Sequence, residues 1–195
     1  MNRPLILASG SPRRREILTD AGLPFTVLVT EADETLPAGL SPEESVKELS
    51  LRKAKAALRL ADAGAVVLAA DTMVAAVKDG KEITLGKPQN EAEAKEMLRL
   101  LSGTTHRVLT GITLTDGHRT ITDAVSTEVH MRIITEEELE RYVATGSPLD
   151  KAGAYGVQEH AGLFVTGITG DYFNVVGLPL CRVGEILSEN FGFAL

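Results

Sequence analysis

The chain holds four groups of residues whose types and spacing could do chemistry. The first is Ser9-Gly10-Ser11-Pro12-Arg13-Arg14-Arg15. Small residues there let backbone N–H groups approach a phosphate, and guanidinium groups match phosphate oxygens in geometry. The lysine and spacing of a Walker loop are absent. The plain alternative is a capped helix with a solvated basic first turn. Cations at a helix N-terminus oppose the macrodipole, however, and such local conflicts often mark function. The second is Asp71-Thr72, following an apolar run. A carboxylate at the end of a buried strand lies where α/β sheets bind ligands, and it can hold a divalent cation or take a proton from water. It can equally turn the chain. Glu31, Asp33 and Glu34 form the third, offering hard oxygens to a cation such as Mg²⁺ or simply an acidic loop. The fourth is residues 150–158, from Asp150-Lys151 to Gln158. It is a polar, glycine-bearing connector whose Gln158 amide both donates and accepts and so can read the edge of a base.

Other reactive residue types read as structure. Lys53 and Lys55 look like a solvated helix face, and Lys87 like a loop lysine. His106, His118, His130 and His160 have no metal-ligand spacing and read as surface or strand residues. Cys181 reads as core, and no Gly-x-Ser-x-Gly elbow is present.

These residues need positioning, and strand and helix patterns alternate along the chain, predicting an α/β or mixed α+β fold. Residues 5–8 read as a buried strand, then Ser11 caps a helix with Pro12 at its first position and Gly22 at its end. Residues 25–29 read as a second strand. Ser41-Pro42-Glu43-Glu44 is a capping box for a helix reaching about Asp62. Residues 65–70 form an apolar strand with Asp71 just past its end; residues 73–77 and 82–85 flank an Asp79-Gly80 hairpin turn. Asn90 opens a helix to Leu101, two long strands cover 106–115 and 119–132, and Thr135–Glu138 caps a helix to about Ala144. A strand over 163–168, a turn at Gly170-Asp171 and a helix over 179–190 close the pattern. The expectation is a large twisted mixed sheet with flanking helices.

Composition narrows the function classes. At 195 residues the chain predicts one domain, 1–195, at roughly 150 residues per domain. Its 20 basic and 27 acidic residues leave a net charge of −7, which disfavours a nucleic-acid partner because phosphate neutralisation needs basic surface. With eight aromatics and no Trp, base-stacking platforms are not expected. The opening apolar run is too short for a signal-peptide core, and no run suits a membrane span. One cysteine forms no internal disulfide, so the expected location is cytoplasmic, without a membrane partner.

Taken together the blocks resemble the Maf family of nucleotide pyrophosphatases. Leu7-Ala8-Ser9-Gly10-Ser11-Pro12-Arg13-Arg14 is similar to the family's opening signature. Ala70-Asp71-Thr72, Leu85-Gly86-Lys87-Pro88, Leu101-Ser102-Gly103-Thr104-Thr105-His106, the 150–158 segment and Asn174-Val175-Val176-Gly177-Leu178-Pro179-Leu180 follow in order, so the resemblance spans nearly the whole chain. It implies a fold like that of inosine triphosphate pyrophosphatases, with two lobes and a central cleft. It implies hydrolysis of a nucleoside triphosphate to the monophosphate and pyrophosphate with a divalent metal cation, Mg or Mn. The 150–158 segment resembles the dTTP/UTP subgroup rather than the 7-methyl-GTP subgroup. By resemblance, Asp71 is the proposed general base, and Glu34, Lys53 and Lys87 meet metal or phosphate; the charges lead to the expectation that Glu34 and Asp71 hold the metal in part, with Asp71 as base, ligand or both. Arg13, Thr72 and Gln158 fall at positions tied to pyrimidine preference. Ser9, Ser11, Arg14, Asp150 and Lys151 join them as expected substrate contacts. Glu159 departs from the pattern, which implies a glycine after Gln158. The implied partner is a small nucleotide, and a homodimer is compatible. Two rivals stand beside this reading: a non-catalytic nucleotide-binding regulator of septum formation, and a housecleaning hydrolase for purine or 7-methyl-GTP substrates.

Overall fold

The computed structural model describes residues 3–195. Three consecutive buried residues make β1, Leu5–Leu7, which pairs in parallel with β2, Thr26–Val27, and with β3, Val66–Lys78. Strands covered on both faces read as unbroken apolar runs rather than alternations, which is how β1 and the first half of β3 read. β4, Lys81–Leu85, returns antiparallel along β3 through Asp79 and Gly80. Both turn residues have positive φ, 52° and 75°, as a two-residue hairpin turn of this kind requires. β5, Thr105–Thr115, β6, Thr120–Met131, and β7, Val165–Thr169, complete a seven-stranded mixed sheet in the order β2-β1-β3-β5-β6-β7, with β4 off that path on β3.

The helices are α1, Pro12–Asp20; α2, Pro42–Leu58; α3, Glu91–Leu101; α4, Glu136–Val143; α5, Tyr172–Val176; and α6, Leu180–Phe191. The capping boxes form as the sequence predicts: Ser41 with Glu44 starts α2, and Thr135 with Glu138 starts α4. Asn90 Oδ1 accepts from Glu93 N at 3.0 Å to start α3. None of the described helices is long and apolar enough to cross a membrane.

Contacts divide the chain into two compact units. The first comprises Met1–Asp71, Thr110–Val125 and Gly177–Leu195. Its core sets small residues of α2, Ala54 and Ala57, against Ile6, Val67 and Ala69 of β1 and β3. Small side chains permit a close approach, and Gly111 of β5 takes this to its limit. A Cβ there would lie 2.2 Å from Val46 O, so the α2 backbone rests directly on the strand. The second unit comprises Thr72–Leu109 and Ser126–Val176. Its core joins Leu98 and Leu101 of α3, Leu139 and Val143 of α4, and Val74, Val108 and Val129 of the sheet, with Tyr142, Tyr155 and Phe164.

Several expected elements differ. The second strand shrinks from 25–29 to Thr26–Val27, whose side chains are exposed, so apolar burial does not extend it. α2 ends at Leu58 rather than near Asp62. The two strands expected over 65–70 and 73–77 are one, and Asp71 lies inside β3. Residues 163 and 164 belong to a 3₁₀ turn, His160–Phe164, that precedes β7. α5 occupies a segment to which the sequence assigns no element, just after the expected Gly170-Asp171 turn: Asp171 Oδ1 accepts from Phe173 N at 2.8 Å and Asn174 N at 3.2 Å and so caps it. Cys181 is exposed, because the buried stripe of α6 runs through Val183, Ile186, Leu187 and Phe191 and position 181 falls off it.

Candidate active site

In the first unit, β1 delivers the chain to Ser9, which is 8% exposed, and α1 begins three residues later. Ser11 sits extended at the N-cap with no side-chain cap bond, and the first turn holds no acidic residue. Ser9 fills part of that gap: its hydroxyl accepts from Ser11 N at 3.2 Å and from Arg14 Nη1 at 3.1 Å. Arg14 Nε donates to Gly177 O at 2.7 Å, so the guanidinium is fixed on two sides. Burial pulls the Arg14 pKa down, the Asp71 carboxylate opposes that shift, and the like charge of Arg13 adds to it. The three groups therefore share one electrostatic neighbourhood.

Lys53 joins them. It lies seven residues after Val46, on the core-facing stripe that also carries Leu49, Ser50, Ala54 and Ala57. Its Nζ bridges two carboxylates, at 2.6 Å from Asp71 Oδ1 and 2.8 Å from Glu34 Oε1. The solvated-face reading of Lys53 is thus replaced by a bridging role, whereas Lys55 is exposed. The acidic loop is tied to α2 as well, since Arg52 Nη1 donates to Asp33 O at 3.1 Å and to Thr35 O at 2.8 Å. Glu31 and Asp33 stay exposed. Asp33 sits below the usual carboxylate range, chiefly because the Thr35 backbone and hydroxyl bond it.

A divalent cation fits this donor set. Glu34 and Asp71 already converge on a single cationic atom, and hard carboxylate oxygens suit Mg²⁺. Among the described residues no group of three or more His, Cys, Asp or Glu is placed to cage a metal. One or two carboxylates completed by substrate phosphates is the usual arrangement for Mg²⁺.

The second unit holds the other expected residues. Thr72 is half-buried in β3, directly after Asp71. Lys87 is exposed after β4, and its segment is pinned to the 150–158 loop by Gly153 N donating to Gly86 O at 3.0 Å. Two 3₁₀ turns, Ser147–Asp150 and Ala152–Ala154, lead into and open that loop. Gly153 has φ 67°, and a Cβ there would lie 2.7 Å from Val74 Cγ2. Ala154, fully buried, also has positive φ, 63°, a conformation that costs a non-glycine residue roughly 1–2 kcal/mol. Asp150 and Gln158 are exposed, while Lys151 is buried against Asp150 at 2.7 Å and Glu159 at 3.1 Å.

Sequence reasoning missed His106 and Tyr155 as a pair. His106 Nε2 and Tyr155 Oη lie 2.7 Å apart, ring edge to ring face, both buried. Burial drives the His106 pKa down to about 4, with His130 adding a smaller push, and drives the Tyr155 hydroxyl up. The partial alternation of β5, which places His106 two residues before the buried Val108, was the available signal.

A family model described as Maf-like protein matches residues 4–190. A protein of Alkaliphilus metalliredigens named dTTP/UTP pyrophosphatase is 48% identical over 96% of this chain and 96% of its own. One of Bacillus mycoides with the same name is 51% identical over 96% of this chain and 95% of its own. Among solved structures, a HAM1 protein from Coxiella burnetii aligns over 97% of this chain and 100% of its own, with 16% identity and a TM-score of 0.48.

Proposed function

This chain belongs to the Maf family, and on that premise we propose that it hydrolyses dTTP and UTP to the nucleoside monophosphate and pyrophosphate. The observation that carries the reading is the Lys53 bridge between Glu34 and Asp71, set in the same neighbourhood as Arg13 and Arg14. An overall acidic chain here gathers three cations around two carboxylates, which suits a polyanion that brings its own divalent cation.

The phosphate chain is held by Arg13, Arg14 and Lys53, with the Ser9–Ser11 segment offering backbone N–H groups at the start of α1 and Lys87 adding a further cation. Glu34 and Asp71 are the residues that would hold Mg²⁺ or Mn²⁺, which when bound supplies charge neutralisation along the phosphates. Asp71 takes the proton of the water that attacks the α-phosphorus. The α–β anhydride bond breaks, and pyrophosphate leaves with its charge spread over Arg13, Arg14 and Lys53. Thr72 and Gln158 read the pyrimidine, Gln158 from the loop that also carries Asp150 and Lys151.

The test is a pyrophosphate-release screen over the canonical nucleoside triphosphates, with and without Mg²⁺ and Mn²⁺. The expected result is metal-dependent release with dTTP and UTP ahead of dATP and GTP. Metal-dependent binding without release makes the protein a nucleotide sensor instead, and purine preference removes the base-reading assignment.

A further inference from the structure

A lysine in a polar loop invites the role of phosphate ligand, yet the surroundings of Lys151 leave its ammonium no room for one. The side chain is 5% exposed. Nζ donates to Ser147 O at 2.7 Å, Ser147 Oγ at 3.1 Å and Asp150 Oδ1 at 2.7 Å, and lies 3.1 Å from Glu159 Oε2. An ammonium has three protons, and these acceptors engage them all. The Ser147 hydroxyl also donates to Glu159, closing the knot. The stem packs closely over Gly156: a Cβ there would lie 2.6 Å from Lys151 Cε and 2.9 Å from Cδ.

The flanks of the knot are fixed too. Tyr155, just before Gly156, is anchored by its bond to His106. Val157 O lies 2.7 Å from where a Gly162 Cβ would stand, so the next turn presses on the loop's backbone. Gly156 O accepts from Glu159 N at 3.2 Å. Within this held frame Gln158 is exposed.

We propose that Lys151 is a positioning residue, with Glu159 as its charge partner, whose task is to hold the 147–159 loop so that Gln158 is presented to the nucleobase. It makes no phosphate contact. The inference rests on the reading that Gln158 senses the pyrimidine, and it assigns a role to Glu159 that the chain's chemistry otherwise leaves unused.

The experiment compares wild type, Lys151→Met and Glu159→Gln in three measurements. These are kcat/KM for dTTP and for dATP, the inhibition constant of inorganic tripolyphosphate, and hydrogen exchange of the 147–162 amides. Tripolyphosphate reports the phosphate grip without a base. In Lys151→Met the dTTP-to-dATP preference is expected to fall about tenfold, the scale of one misplaced hydrogen bond to the base. Tripolyphosphate inhibition stays within about twofold of wild type, as expected where no charged hydrogen bond to phosphate is lost. Glu159→Gln moves preference in the same direction by less, and loop exchange rises in both variants. Equal losses on dTTP and dATP with weakened tripolyphosphate binding in Lys151→Met overturn the proposal. So does tighter tripolyphosphate binding in Glu159→Gln, the mark of a released phosphate-binding ammonium. If wild type shows no pyrimidine preference, the base-reading role of Gln158 fails while the exchange data still decide the strut, and unchanged exchange in both variants overturns that as well.

Discussion

Two lysines in this molecule each sit between carboxylates, and they are built in opposite ways. Lys53 stands on a regular helix and meets Asp71 from a strand and Glu34 from a loop, partners 18 and 19 positions away. Lys151 meets only its own loop, a serine four residues back and acids one and eight residues away. The Lys53 side chain is 21% exposed and the Lys151 side chain 5%. An ammonium whose partners come from separate elements can trade one for an anionic ligand without unravelling its surroundings. An ammonium saturated by local backbone and side chains is spent on conformation. The first arrangement is suited to binding and chemistry, the second to shape.

That contrast can be broken or sharpened by measurement. Asp71→Asn should lower kcat by about 10²–10⁴-fold while the melting temperature stays near wild type; near-normal turnover would remove Asp71 from the chemistry. In the second unit the large effect should fall on stability instead. The folded protein holds His106 neutral down to about pH 4, whereas the unfolded chain binds that proton near 6.5. The contribution is therefore complete above about pH 6.5 and is lost as pH falls toward 4, by about 3 kcal/mol. Urea unfolding at pH 7 and pH 4.5 should show that loss in wild type and a flattened dependence in His106→Gln; parallel curves refute it. Arg13→Ala should cost about 1.5–3 kcal/mol in kcat/KM, the scale of a hydrogen bond to a charged group, and unchanged kcat/KM counts against the clamp. The smallest effect is Ser41→Ala, which removes the α2 cap and should lower unfolding free energy by about 1 kcal/mol with kcat unaltered.

The regular elements were readable because caps and periodicities are local. Ser41 with Glu44, Asn90, and Thr135 with Glu138 announce their helices by hydrogen bonds spanning a few residues. The sequence marks Asp71 as a candidate but places it at a strand end, whereas it lies inside β3. A carboxylate interrupts a buried run only when nothing neutralises it, and Lys53 arrives from another element to do so. Lys53 itself was legible in principle, since it repeats Val46 two turns on, but a charged type outweighed its place on the stripe. The Lys151 knot was not legible. Its bonds depend on 3₁₀ turns and on positive φ at Gly153 and Ala154, and alanine gives no local notice of that conformation. α5 was hidden by its length: five residues carry no periodicity, and only the Asp171 cap hints at it.

The contact between Gly111 and the Val46 carbonyl reaches beyond packing. A single methyl group at position 111 would act as a wedge beneath the helix, and because Val46 and Lys53 ride on the same rigid rod, lifting one end tilts the other. The bridging ammonium would swing away from its carboxylates although no charged residue had been altered. A silent-looking glycine in the middle of a strand thus helps to set where Lys53 stands against Glu34 and Asp71.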